Sequence, residues 1–253
     1  MTFTHAIVRR PGKDLAAGIT TAALGPPDYV KALKQFDAYI TALKDCNLAV
    51  TVLDPLDGYP DAHFVEDTAV VTPDIAVITH PGAEPRKGET PSVASALKAF
   101  RPTVSIQPPG TLDGGDVLML GTHFLIGLSD RTNAEGAGQL GQAIAEFGCT
   151  WTTIDVAAGL HFKSSVNAVG EETLLTTPDF AGHPALAGYR RIVISTDETY
   201  AGNTLLVNGR LIMPAGFPDT RAKLQALNLP ITELDTSEFR KMDGGLTCLS
   251  LRF

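Results

Sequence analysis

One short pattern occurs five times along the chain and constrains the fold more than any other feature. At 42–55, 97–109, 143–156, 185–197 and 223–235 the end of a helix runs into a short strand. Each copy leads through a polar loop to a second apolar strand, and in four copies that strand turns back on itself. The four hairpins span 67–80, 116–128, 164–177 and 203–216. Their centres, Thr72-Pro73-Asp74, Gly121-Thr122, Gly170-Glu171-Glu172 and Asn208-Gly209, hold residues suited to tight reversals. A fifth strand, 245–253, ends the chain without a hairpin partner, and the strand at 4–10 can supply one. No unit of this size buries its apolar surface alone, so the copies must pack on one another. Five units with a wrap-around strand imply a closed α/β ring rather than an open solenoid. A doubly wound sheet would need single strands alternating with helices, and the hairpins speak against it.

Helices between the units have readable ends. Pro26 and Pro27 open one whose apolar positions Val30, Leu33, Phe36, Tyr39, Ile40 and Leu43 follow helical spacing. Thr90-Pro91, Asn133 and Asp219 start three more, the one from Asn133 ending at Gly148. The stretch 179–188, with His183-Pro184 and two glycines, is the weakest helix.

The 253 residues are enough for a full core and are read as one catalytic domain, 1–253. A net charge of -8 argues against a nucleic-acid or anionic-membrane surface, both of which want a basic patch, and is compatible with a cationic substrate. Three cysteines, Cys46, Cys149 and Cys248, form no CxxC pair, so neither a disulfide framework nor a zinc knuckle is expected and a reducing, cytoplasmic setting is. The N-terminus shows no signal-peptide pattern, and no apolar stretch nears the roughly 18 residues of a membrane span.

Chemistry-bearing residues recur where loop meets inner strand. Unit one carries His63, Glu66 and Asp67; unit two Asp113 and Asp116; unit three His161 and Lys163; unit four Asn203; unit five Asp243 and Cys248. In a closed ring equivalent strand starts converge on the axis, so groups distant in sequence can meet there. Arginines follow the hairpins at similar offsets, Arg86, Arg131 and Arg221, with Arg9 and Arg10 after the first strand; they could grip a carboxylate bidentately. Taken alone, Cys248 reads as a packed side chain in an apolar strand. The sharp turn Asp243-Gly244-Gly245 before it and its place at the functional edge of its unit move it toward chemistry. His161 then becomes a general acid–base candidate. His63, His161, Glu66 and Cys248 lack local metal-ligand spacing, and no metal is expected. The paired acids Glu66-Asp67 and Asp113/Asp116 could be turn or rim residues, but they suit a planar cation such as guanidinium.

The segments FVEDTAVV (64–71), HPGAEPRKGE (80–89), LDGGDVL (112–118), GLSDRTNAEGA (127–137), GLHFKS (159–164), MPAGFPDTRAK (213–223) and KMDGGLTCLSLRF (241–253) together resemble the dimethylarginine dimethylaminohydrolases, essentially from end to end. That family belongs to the guanidino-group-modifying, or pentein, superfamily, so the resemblance implies its fold, a five-bladed α/β propeller of ββαβ-type repeats around a pseudo-fivefold axis, in agreement with the five units. The resemblance implies hydrolysis of Nω,Nω-dimethyl-L-arginine, and of the monomethyl compound, to citrulline through a thiouronium on Cys248. His161 would carry protons and Asp113 would stand where some members have glutamate. Asp67 would grip the guanidinium, Glu66 and Asp61 would help bind substrate nitrogens, and Arg86 and Arg131 would hold the α-carboxylate. The segment 16–25 resembles the family's mobile lid, with Ile19 where leucine is usual; Asp243 joins the binding set. No cofactor is implied, because the substrate is already an electrophilic cation. The expected partner is a small cationic guanidino compound, with a homodimer left open. The thiol is expected to have a near-normal pKa in the free enzyme. A related deiminase or amidinotransferase would typically carry His-x-Asp where this chain has His161-Phe162-Lys163. A non-catalytic binding protein of the same fold should have lost the nucleophile or the histidine.

Overall fold

The computed structural model describes residues 2–156 and 160–253, so Gly159, the first residue of the GLHFKS motif, lies outside the described residues. Five separate three-stranded sheets form the frame. The first joins the two ends of the chain: β1 (His5–Arg9) runs parallel to β2 (Ala49–Leu53) and antiparallel to β15 (Leu251–Arg252), with Ala6 opposite Arg252 and Ile7 opposite Leu251. The second holds β3 (Ala69–Val71), β4 (Ala76–Ile78) and β5 (Thr103–Ser105). The third holds β6 (Val117–Leu120), β7 (His123–Leu128) and β8 (Thr150–Asp155). The fourth holds β9 (Val166–Ala168), β10 (Thr173–Thr176) and β11 (Arg190–Val193), and the fifth β12 (Leu205–Val207), β13 (Arg210–Pro214) and β14 (Ile231–Leu234).

Every sheet repeats one rule. The middle strand is antiparallel to its inner neighbour, through a tight turn in four sheets and by meeting of the chain ends in the first, and parallel to its outer neighbour through a crossover. That follows from the hairpin-then-helix order, because antiparallel neighbours need only a turn and parallel ones a long connection. In the fifth sheet Asn208 (φ 47°) and Gly209 (φ 76°) both adopt the left-handed conformation that a two-residue hairpin turn demands. The strands β3, β6, β9, β12 and β15 line one common cavity and are therefore the inner strands of a ring.

The core lies between neighbouring blades. Val70 and Val77 of one sheet pack with Val117, Phe124 and Ile126 of the next and with Leu140 and Ile144 of a covering helix. That helix, α3 (Ala134–Ala145), is capped by the Asn133 side chain, which accepts from the Gly136 N–H. The first helix, α1 (Tyr29–Asp45), buries Phe36, Tyr39 and Leu43. Each such side chain contributes about 1.5–3 kcal/mol of transfer free energy. Between them lies α2 (Thr90–Leu97), and the later helices are α4 (Pro218–Gln225) and α5 (Ser237–Arg240). Among the described residues no helix is long and apolar enough to cross a membrane.

Four local expectations change. Helix α1 starts at Tyr29, where Asp28 caps the Lys31 N–H, so the two prolines lie ahead of it and Val30 is exposed. The stretch before β11 forms only short 3-10 turns, Pro178–Phe180 and Pro184–Leu186, because Gly182, Pro184 and Gly188 interrupt any longer helix. Asp219 is the second residue of α4, after Pro218, not its cap. Cys248 sits in a 3-10 turn, Thr247–Leu249, and the final strand is only Leu251–Arg252.

Candidate active site

At one end of the axis the residues preceding the inner strands meet. Asp67 stands just before β3, Asp113 and Asp116 before β6, His161 before β9 and Cys248 before β15. Asp67, His161 and Cys248 share a pocket with Ile19, Asp61, Arg86, Arg131 and Asp243, while the fully buried Asp113 and Asp116 stand behind it.

The imidazole is the best held of these groups. Nε2 of His161 lies 3.0 Å from Oδ2 of Asp113 and 3.9 Å from Oδ1 of Asp67. The Gly82 N–H donates to Asp113 Oδ1 at 3.0 Å, so both oxygens of that fully buried carboxylate are engaged. Asp116 fixes the histidine's backbone: its Oδ1 accepts the Phe162 N–H at 2.9 Å, and Oδ2 accepts the hydroxyls of Ser129 and Thr132. Burial raises the Asp116 carboxyl above the ordinary range. The double glycine of LDGGDVL has a steric cause. A Cβ on Gly115 would stand 2.8 Å from the His161 ring, and one on Gly114 would run into the Glu66 carbonyl.

Burial disfavours charge on His161, but Asp67, the hydrogen bond to Asp113 and Asp116 outweigh it and carry the imidazole up to about 9. Burial also opposes ionisation of Asp67, yet His161 and Arg86 hold it down at about 2. Cys248 is pushed up to about 12 by burial and then by the charges of Glu66 and Asp67. The thiol therefore sits well above the near-normal value expected for the free enzyme. At neutral pH the resting pair is a neutral thiol and an imidazolium. Asn203 secures the turn that carries the thiol, accepting the Thr247 N–H at 2.8 Å and donating to the Thr247 hydroxyl at 3.0 Å.

The expected binding residues divide. Asp67 accepts from Arg86 Nη1 at 2.5 Å and from the Gly115 N–H at 2.9 Å. Arg86 borders the pocket, but its guanidinium is mostly engaged elsewhere. Nε and Nη2 donate to Glu89, and Nη2 also reaches the carbonyls of Asp61 and Phe64. It braces Asp67, and less of it is left for a carboxylate than expected. Burial raises Glu89, its partner, to about 7. Arg131 is half-buried at the pocket wall, and its guanidinium has no hydrogen bond among the described residues. Arg221 instead pairs with Glu233, Arg9 with the Asp54 carbonyl and Ser92, and Arg10 with Asp37, all away from the pocket.

Glu66 is placed differently from its expected role. It does not line this pocket; its Oε1 accepts from Lys163 at 2.8 Å and Arg252 at 3.2 Å below the site. Its neighbour Asp67 faces up because the two are consecutive in a 3-10 turn, Val65–Thr68, which sets successive side chains about a third of a turn apart. Lys163 likewise turns down, so the third position of the His161-Phe162-Lys163 triplet presents nothing to the pocket. His63 is buried beside Phe64 and Phe239, donates Nδ1–H to the Pro60 carbonyl, and is held near 3 by burial and then by Arg86.

The segment 16–25 lies over the pocket. The Ile19 N–H donates to Asp61 Oδ2 at 3.0 Å, and the Thr21 N–H and hydroxyl donate to Asp243 Oδ2 at 2.5 and 3.0 Å. Asp243 adopts φ 56°, a left-handed conformation uncommon outside glycine but one that Asp tolerates, and its carboxylate meets the cover. Burial raises Asp61 above its usual range. Under this cover the pocket has about 30 Å³, room for a water but not for an amino acid, so admission requires the cover to lift. Phe64, Leu160 and Met242 complete the walls and were not singled out from sequence. Apolar residues beside a loop carry no signal that separates lining from core.

Asp67, Asp113 and His161 also place their ligand atoms within 4.8 Å of one another, a spacing that would suit a cation. Each of the four carboxylate oxygens already accepts from Gly115, Arg86, Gly82 or His161, so the cluster is first of all the setting of the imidazole.

Five three-stranded blades with a cysteine, a histidine and aspartates at one end of the axis define the class: a pentein-type hydrolase. The comparisons narrow it. The chain is 43% identical over 253 residues to the N(G),N(G)-dimethylarginine dimethylaminohydrolase of Pseudomonas aeruginosa, covering 99% of this chain and 100% of that one. A crystal structure of the Pseudomonas aeruginosa enzyme, a cysteine-to-serine mutant complexed with citrulline, superposes with a TM-score of 0.98 at 42% identity over the full length of both chains. A dimethylarginine dimethylaminohydrolase with histidine replaced by glycine, in an adduct with S-methyl-L-thiocitrulline, matches equally well, again at 42% identity over both full chains. No family model matches the chain. The protein belongs to the dimethylarginine dimethylaminohydrolase family.

Proposed function

We propose that the protein, acting as one catalytic domain, hydrolyses Nω,Nω-dimethyl-L-arginine, and the monomethyl compound, to L-citrulline and the corresponding amine, with Cys248 as nucleophile. The observation that carries this reading is the convergence on one covered pocket of Cys248 and of a His161 braced by Asp113 and Asp67. Asp67 receives the guanidinium of the substrate, Arg131 its carboxylate, and Asp61 with Ile19 the amino-acid end beneath the cover.

The resting thiol gains a reason to ionise only when a cation lies over Asp67. The thiol proton then passes to solvent, and the thiolate attacks the guanidinium carbon, giving a neutral tetrahedral adduct. His161 gives its proton to the substituted nitrogen, the C–N bond breaks, and dimethylamine leaves a thiouronium on Cys248. The now neutral His161 takes a proton from water as the oxygen adds to the same carbon. The C–S bond breaks, citrulline forms, the spare hydroxyl proton passes to the departing sulfur so that thiol and imidazolium are both restored, and the released dimethylamine takes up the proton that the thiol gave to solvent. A high histidine pKa suits the first proton transfer, because the acid must still be charged when the amine departs.

A deiminase reading lacks its usual acid, since Lys163 Nζ is turned to Glu66 below the site. The test is citrulline formation from asymmetric dimethylarginine beside arginine, agmatine and symmetric dimethylarginine, for wild type and Cys248→Ser. Citrulline from the asymmetric compound, lost in the variant, is expected. Comparable turnover of plain arginine would move the protein to the deiminases, and silence with every substrate would sink the reading.

A further inference from the structure

The turn before the nucleophile is pinned from several sides. Tyr200 Oη donates to the Gly244 carbonyl at 3.0 Å, Tyr39 Oη to that of Leu246 at 2.8 Å and Arg252 Nη1 to that of Thr247 at 3.2 Å. A further clamp is the buried side-chain amide of Asn203. The Thr247 N–H offers it an obligate donor at 2.8 Å and the Lys163 carbonyl an obligate acceptor at 3.3 Å. These two backbone groups fix the orientation of the amide: Oδ1 faces the N–H and Nδ2 faces the carbonyl. Lys163 follows His161 by two residues, so one amide ties the histidine's turn to the cysteine's. Gly245 permits the close approach, since a Cβ there would stand 2.4 Å from Asn203 Cγ.

The oriented amide in turn sets the Thr247 hydroxyl. Nδ2 donates to Oγ1 at 3.0 Å, so the hydroxyl accepts there and its own proton must go elsewhere. Thr247 is 1% exposed, which leaves bulk water out, and a buried donor without a partner is costly. Among the described residues the one other hydrogen-bond partner of Oγ1 is Cys248 Sγ, at 3.9 Å. That is a loose contact to a neutral thiol, which accepts weakly, whereas a thiolate accepts strongly. The hydroxyl and the Gly245 N–H favour ionisation of the thiol, against burial and the charges of Glu66 and Asp67.

We infer that Thr247 is a further catalytic residue, its hydroxyl donating to the sulfur whenever Cys248 is a thiolate, with Asn203 as the positioning residue that points it there. The role covers both steps in which the sulfur carries charge, attack on the guanidinium carbon and departure from the last tetrahedral intermediate. The hydroxyl keeps its proton throughout, and the role rests on Cys248 as the nucleophile of the proposed hydrolysis.

Alkylation of Cys248 by iodoacetamide at about pH 8, read on its own peptide by mass spectrometry, follows the thiolate fraction without turnover. Thr247→Val keeps the shape and loses the hydroxyl; it should react about tenfold more slowly than wild type, and Thr247→Ser within about twofold of it. With dimethylarginine, kcat should fall about tenfold in Thr247→Val, KM should stay within about twofold, and Thr247→Ser should recover the rate. Altered packing alone would move KM and leave the alkylation rate as it is. Asn203→Asp turns the amide donor into an acceptor, so the hydroxyl donates to the new carboxylate. Adding Thr247→Val to it should then cost less than about twofold more. Alkylation of Thr247→Val at the wild-type rate, a Thr247→Ser as slow as Thr247→Val, or a full loss on adding Thr247→Val to Asn203→Asp would each overturn the assignment. A wild type silent on every methylarginine would sink the hydrolysis instead, and the alkylation rates would still decide the hydroxyl. Should Asn203→Asp fail to fold, the two Thr247 variants decide.

Discussion

The floor and the cover of the catalytic pocket are built on opposite principles. The floor is made of buried groups whose polar atoms are paired from three different blades: Asp113 with Gly82 and His161, Asp116 with Ser129, Thr132 and Phe162, Asp67 with Arg86 and Gly115. The cover is a partly exposed segment held by a few hydrogen bonds from Ile19, Thr20 and Thr21 to two aspartates and one carbonyl. Low dielectric strengthens each floor contact and makes its loss costly, whereas the cover's contacts can exchange with water. On the proposed function, chemistry falls to the densely paired part and admission to the sparsely held one.

Perturbing the floor should change turnover most. Asp113→Asn leaves a side chain of the same shape but removes the charge facing Nε2, and kcat is expected to fall about 10²-fold or more with KM little changed. Steady-state kinetics on dimethylarginine check this; a loss confined to KM would mean that Asp113 holds substrate and not the imidazole.

The pH response is the second lever. His161 is raised from 6.5 to about 9, so the alkaline limb of kcat should fall near 9, and Asp113→Asn should move that limb to lower pH. The folded protein keeps a proton that the unfolded chain releases above its ordinary value. This stabilisation is complete below about 6.5 and disappears as pH rises through 9, with a magnitude on the order of 3 kcal/mol. Thermal unfolding should show Tm dropping across that window in wild type and dropping less in His161→Gln.

Breaking the cover should produce the smallest effect and a different signature. Asp243→Ala removes the acceptor of the Thr21 N–H and hydroxyl, and KM should rise up to about tenfold with kcat within about twofold. Thr21→Val added to Asp243→Ala should cost little more, because both remove one contact. Additive losses would place Asp243 on the substrate instead of the cover.

Much of this molecule could be read from residue order. Hairpin turns, helix caps and the five-fold pattern are local signals, and a ring follows because each repeat must bury the same face against its neighbour. The convergence of Cys248, His161, Asp113 and Asp67 was legible for the same reason, since repetition places equivalent positions at one end of an axis. What stayed hidden was the facing of individual side chains. Glu66 and Asp67 are adjacent acids in one motif, yet one looks up to the imidazole and the other down to Lys163 and Arg252. Arg86 is one of several arginines at similar offsets, and only its burial against Asp67 and Glu89 makes it a brace. The thiol's high pKa likewise comes from its surroundings and not from its neighbours in the chain. Residue types and spacing depend on local backbone preferences that the sequence carries in full. Facing, burial and charge balance depend on which distant blades close around a group, and only the tertiary structure decides that.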